Sequence, residues 1–272
     1  MKFAYDKAGD LASVYPIFLG EWGGALKELA AALAEAQKNA NDKRILWLRV
    51  HQAWLHLHAL DFRSVLEICQ LVLAPLQVPE LRAAPPGRRA LILSGCASAA
   101  LGDYARALED FSAASSEMDR QTRFFDWYWH MPLAAGLTEL WLATGDRARA
   151  RLEAERFLDM ALATTERTSQ GLAWEVNARV ALANQDHARA RDCIAQGVST
   201  VQGFEVPLAA WPVHATAADI EEASGNIEPA RLHRNLSRAT IMQLANSLPE
   251  QEPLRQIFLS APATTRVLSR DA

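Results

Sequence analysis

The sequence predicts an all-α protein, a right-handed α-solenoid of antiparallel helix pairs. Three observations carry that prediction. A ten-residue pattern recurs six times, opening at residues 20, 60, 102, 145, 185 and 225, so the period is 40–43 residues. Four of the six copies begin with glycine, and every copy has a second side chain that favours a helix start. Each then places a small residue at one fixed position, and no stretch of the chain reads as a pair of β-strands.

The clearest copy is GDYARALEDF at Gly102. The others are GEWGGALKEL at Gly20, LDFRSVLEIC at Leu60, GDRARARLEA at Gly145, QDHARARDCI at Gln185 and GNIEPARLHR at Gly225. Glycine opens four of the six, as expected where a left-handed residue ends the preceding helix. The second position holds Glu21, Asp61, Asp103, Asp146, Asp186 and Asn226, side chains that cap or favour a helix N-terminus. The sixth holds Ala25, Val65, Ala107, Ala150, Ala190 and Ala230, small enough for close helix–helix approach.

Each unit therefore reads as helix A, a tight turn and helix B. The A helices are expected at 45–59, 88–101, 124–143, 168–183 and 208–223. The B helices are expected at 21–38, 61–74, 103–118, 146–163, 186–200 and 226–247. The first unit lacks a full helix A, with Pro16 where that helix should continue. Pro75, Pro79, Pro85, Pro86 and Gly87 fill the longest connection, read as a break between repeats. Residues 1–247 are taken as the repeat array and 248–272 as a C-terminal capping helix and tail.

Composition narrows the function classes. Of 272 residues, 50% are hydrophobic and 22% charged, which fits a folded globular chain. A net charge of −4 gives no general reason to expect nucleic acid or membrane as a partner. Cys69, Cys96 and Cys193 are odd in number and widely spaced, which supports neither a disulfide framework nor a zinc site. The opening MKFAYDKAGDLASVYPIFLG carries Asp6 and Asp10 and no long apolar core, so a cytoplasmic location is expected.

The repeat resembles the tetratricopeptide repeat. Leu91, Gly95, Gly102, Asp103, Tyr104, Ala107, Phe111 and Ala114 match its pattern in one unit; Trp174, Ala178, Asp186 and Ala190 match it in another. The resemblance covers residues 20–247 and departs in period, which exceeds the usual ~34 residues and implies longer helices. In that respect the chain is similar to helical-repeat regions of large bacterial signalling proteins, such as MalT-like and LuxR-type regulators or kinase- and cyclase-linked chains. The resemblance implies a regulatory or sensor arm of a larger protein.

In such an array the A helices line one surface and the B helices the other. The A-helix surface is expected to be apolar at its N-terminal end, with Trp47, Val50, Trp54, His58, Arg89, Ile92 and Cys96. Its C-terminal end, with Glu139, Glu175, Arg179, Trp211, Asp219 and Glu222, is expected to be mainly acidic. Trp anchors with carboxylates suit a basic peptide segment. The alternative is that Trp47 and Trp54 face a neighbouring helix as core and the acids form an ordinary solvated face.

The segment RFFDWYWHMP is the densest aromatic stretch. Trp127 and Trp129 must lie on different faces of a helix, and with His130 and Trp174 they mark a candidate small-molecule pocket. The bland reading packs the extra turn on the preceding repeat. On the outer side of the B helices the third and seventh positions change from an apolar set, Trp22/Leu26, Phe62/Leu66 and Tyr104/Leu108, to Arg147/Arg151, His187/Arg191 and Ile227/Arg231. Arg149 and Arg189 extend this candidate basic face, while Arg149–Glu153 and Arg151–Glu155 are expected i,i+4 pairs.

No phosphate-binding loop, nucleophile elbow or metal-ligand set is present in the sequence. His56 and His58 project to different sides of a helix and do not form a ligand pair. The expected function is a non-enzymatic interaction module that needs no cofactor or metal and takes a protein or peptide. Direct nucleic-acid binding and membrane insertion are not expected. Effector sensing by a MalT-like domain and a self-associating scaffold are the alternatives.

Overall fold

A computed structural model describes residues 14–76, 85–123 and 125–269. The chain through Ser13, and Pro79 of the proline-rich connection, lie outside the described residues. Among the described residues the regular structure is α-helical throughout, with no strand. After a helical segment over 14–19, which includes Pro16, come α1 (Trp22–Lys38), α2 (Asp42–His58) and α3 (Phe62–Leu73). Then follow α4 (Pro85–Ala100), α5 (Tyr104–Arg120), α6 (Asp126–Thr144), α7 (Arg147–Leu162) and α8 (Arg167–Ala183). The chain ends with α9 (His187–Val201), α10 (Pro207–Ala223), α11 (Ile227–Asn246), α12 (Pro253–Ser260) and α13 (Pro262–Leu268). The expected repeat helices begin and end within three residues of these bounds.

The turns explain that agreement. All six opening positions have positive φ: 75° at Gly20, 61° at Leu60, 84° at Gly102, 83° at Gly145, 62° at Gln185 and 80° at Gly225. Leu60 and Gln185 adopt the left-handed region despite a side chain. In five of the turns the next residue's N–H reaches back to the carbonyl five positions earlier, as in Asp103 N to Ser98 O at 2.9 Å, which closes the preceding helix. Asp61, Asp103, Asp146 and Asp186 then cap the following helix, accepting from the backbone N–H groups of Ser64, Arg106, Arg149 and Arg189 at 3.0–3.3 Å. Two expected caps are not of this kind. Glu21 makes no side-chain cap bond, and the Asn226 amide donates to Glu221 instead.

The sixth position is buried in every copy: Ala25, Val65, Ala107, Ala150 and Ala190 are fully covered and Ala230 nearly so. Within the first unit α1 to α5 pack in succession, and within the second α7 to α11 do the same; α2 also packs on α4, and α8 on α10, so A helices sit side by side in each unit. At Gly95 a Cβ would lie 2.6 Å from the Phe111 ring, which accounts for a glycine within α4.

The chain divides into two compact units, Met1–Trp129 with Ser247–Phe258, and His130–Asn246 with Leu259–Ala272. In the first unit a segment from late in the sequence covers the first repeat. The Trp22 backbone N–H donates to Ser247 Oγ at 3.1 Å, and its indole meets the Phe258 ring edge-on at 4.9 Å. Trp22 is consequently core, where the B-helix pattern placed it on an apolar outer side. The second unit has a core of Ala178, Ala190, Ile194, Ala209, Val213 and Ile220, with Trp174 packed against it.

Candidate functional site

In the first unit the structure brings together Trp54, Arg89 and Trp129. The Arg89 guanidinium lies 4.2 Å from the centre of the Trp47 ring and 5.0 Å from that of Trp129. Trp129 contacts Trp54 at 5.0 Å, and Trp54 contacts Phe18 and His58. Trp54, Arg89 and Trp129 are all buried. Aromatic faces thus surround a desolvated cation, a setting in which cation–π attraction reaches about 2 kcal/mol. Burial and the nearby Arg89 charge lower the His51 pKa to about 4, and burial alone takes His58 to about 4.

Beside this cluster, Arg88 is fully buried and donates to Asp126 at 2.5 Å and to the Gln121 carbonyl at 3.0 Å. Asp126 also accepts from the Arg123 backbone N–H at 2.6 Å, so one carboxylate holds both the cation and the entry to α6. Phe125, at φ 72°, and Trp127 turn their rings to solvent 6.3 Å apart. Trp127 and Trp129 therefore occupy different environments, as helix geometry requires.

In the second unit Glu139, Glu175 and Arg179 form one network. Arg179 donates to both Glu139 oxygens and, through Nε, to Glu175 Oε1 at 2.7 Å. Thr216 Oγ1 donates to the same Glu175 oxygen at 2.7 Å. Burial works against the Arg179 charge, but the two carboxylates outweigh it and raise its pKa. These links join side chains 40 and 41 residues apart, one repeat, so the network runs across α6, α8 and α10.

Further along, Asp219 meets Arg266 at 3.3 Å and Glu222 meets Arg234 at 2.8 Å, beside a shallow depression lined by Ala215, Ala218 and Val267. Every carboxylate of the acidic stretch thus faces an arginine. Trp211 is half-buried, and its backbone carbonyl accepts from Ser237 Oγ at 2.8 Å. His130 is half-buried, with its Nδ1 inside the fold.

Three of the five candidate basic-face arginines are ion-paired. Arg151 and Arg189 share Glu155 at 2.9 and 2.7 Å, while Arg147 and Arg191 are exposed. The expected Arg149–Glu153 pair is not formed. Arg149 instead meets its cap residue Asp146 at 3.4 Å and lies over Trp141, and Arg156 takes Glu153. The cap draws Arg149 toward the helix start, away from the next turn. Sequence reasoning missed Arg88–Asp126 and a pair of histidines, His214 and His233, whose Nδ1 atoms lie 3.0 Å apart. Only the residue types were visible, since nothing in a periodic pattern links positions on different helices.

Among the described residues no group of three His, Cys, Asp or Glu side chains could hold a metal ion, and no helix is long and apolar enough to cross a membrane. No family model and no curated protein matches the chain. Among solved structures it is similar to BtubC (BKLC) from P. vanneervenii, with a TM-score of 0.49 and 11% identity over 79% of this chain and 88% of that one.

Proposed function

We propose that the chain is a non-enzymatic, tetratricopeptide-like α-solenoid whose A helices present a fixed charged surface to a protein or peptide segment. The carrying observation is the Glu139–Arg179–Glu175–Thr216 network of the second unit, which links side chains one repeat apart. It holds carboxylates and a guanidinium in set positions without ordering them on binding, the condition under which a surface selects partners by charge pattern. Glu139 and Asp219 keep part of their side chains in solvent and are the groups available to a partner. Direct nucleic-acid binding and membrane insertion form no part of this reading, which places the chain in the cytoplasm as a regulatory or sensor part of a signalling protein.

The test is a charge-graded peptide array probed with the full chain and with Glu139→Lys/Asp219→Lys. Glu175 is left intact because it is buried. The proposal expects a set of basic-centred peptides bound by the native chain and lost, at least tenfold, in the double variant. Unchanged binding in the double variant would sink it, and a flat array with native-state association by light scattering would favour the scaffold reading.

A further inference from the structure

We propose that His214 and His233 form a two-coordinate site for a soft monovalent d10 cation, Cu⁺. His214 lies on α10 and His233 on α11, helices that pack along each other. Their Nδ1 atoms are 3.0 Å apart, their ring centres 5.2 Å apart and their planes 25° apart. The centre separation is close to the N–N distance plus the two ring radii, so the nitrogens sit between the rings near the line joining them. Both lone-pair directions run along one axis. In the metal-free protein one proton occupies that axis, with the Nδ1–H of one ring donating to the other.

The collinear donors select the ion. Zinc requires four ligands in a tetrahedron, and Cu²⁺ or Ni²⁺ prefers a square set with neighbouring donors at right angles. Neither set can be completed here by a third histidine, cysteine or carboxylate among the described residues. A linear ion needs only the two nitrogens. Metal–nitrogen bonds of about 2 Å place the nitrogens about 4 Å apart, so the rings must separate by about 1 Å. Both rings are half-buried, which leaves room for that adjustment and a route for the ion.

The surroundings suit a cation. Burial and the neighbouring ring lower the His214 pKa to about 4, and burial lowers that of His233 against the opposing pull of Glu221. Both rings are therefore neutral at pH 7, and Glu221 is near enough to favour an added positive charge. The proton balance closes within the pair. The ring that held Nδ1–H takes its proton on Nε2 through solvent, both Nδ1 lone pairs bind the ion, and no net proton is released.

The experiment uses the full chain with 15N-labelled histidines, titrated with Ag⁺ as the redox-silent probe and read at the imidazole nitrogens. Direct readout at nitrogen separates this site from uptake by the three cysteines. The expected result is a joint shift of the His214 and His233 Nδ1 signals that saturates at one ion for the pair and is absent from His233→Gln. Exposed His187 should not move, and the His214→Gln variant should also lose the shift while keeping the native circular dichroism. Nδ1 signals unmoved in excess Ag⁺ would overturn the proposal, as would an equal response to Zn²⁺.

Discussion

The two compact units use one helical frame but treat their charges in opposite ways. The first takes cations inside. Arg88 is sealed with Asp126, Arg89 is enclosed by Trp47 and Trp129, and His51 and His58 are kept neutral by burial. The second ties partly exposed arginines to carboxylates, with Arg179 bridging Glu139 and Glu175 and Arg189 reaching Glu155. The difference follows from the supply of aromatic surface. Where Trp47 and Trp129 crowd one guanidinium it is desolvated against ring faces, whereas Arg149, over a single ring at Trp141, stays exposed and paired with Asp146. The turns and small contact residues set the frame, and the side chains between them set the chemistry.

The largest expected effect is at Asp126. Removing it leaves Arg88 charged, buried and without its counter-ion, so Asp126→Ala should cost about 3–5 kcal/mol. Glu139→Gln in the second unit breaks a half-exposed pair and should cost below about 1 kcal/mol, less in high salt. Urea unfolding followed by circular dichroism and tryptophan fluorescence measures both. Equal losses would erase the contrast between a sealed and a solvated arginine.

A second expectation concerns acid. His51 and His58 have folded pKa values near 4, below the usual 6.5. The unfolded chain therefore binds more protons between those values, and the stability these groups contribute above pH 6.5 is lost as the pH falls toward 4. His58→Phe keeps an aromatic ring against Trp54 and removes one of those protons. The fall of melting temperature between pH 6.5 and 4 should become shallower in that variant. An identical slope in His58→Phe would show that the first unit does not hold this ring neutral.

The helices and turns were legible because their causes are local. The opening residue of each copy reports a left-handed turn, the next residue reports a cap, and Ala107 or Ala150 reports a close contact, all within ten residues. The partners of the charges were not legible in the same way. Arg89 read as a groove residue by type and no pattern singled out Arg88, yet both are buried against Trp129 and Asp126 from a helix about forty positions later. Trp22 read as outward-facing because Phe258, which covers it, is far away in sequence. The acids at Glu139, Asp219 and Glu222 read as a negative stretch, while Arg179, Arg266 and Arg234 arrive from other helices to meet them. Periodicity reports which face a residue occupies, and pairing depends on what the neighbouring helix places opposite.

The smallest expected effect tests the frame itself, once in each unit. Leu60 and Gln185 stand where four other copies have glycine, and each holds a left-handed backbone with a side chain, a strain of about 1–2 kcal/mol. Glycine relieves that strain but loosens the unfolded chain, an opposing effect of about 0.4–1 kcal/mol. Gln185 is exposed and gives up no packing, so Gln185→Gly should raise the urea midpoint by a stability gain of up to about 1 kcal/mol. Leu60 is half-buried, and losing its side chain removes apolar contact that offsets the relief. Leu60→Gly should therefore be neutral or destabilising. A gain at Leu60 with none at Gln185 would mean that packing rather than backbone strain decides these turns.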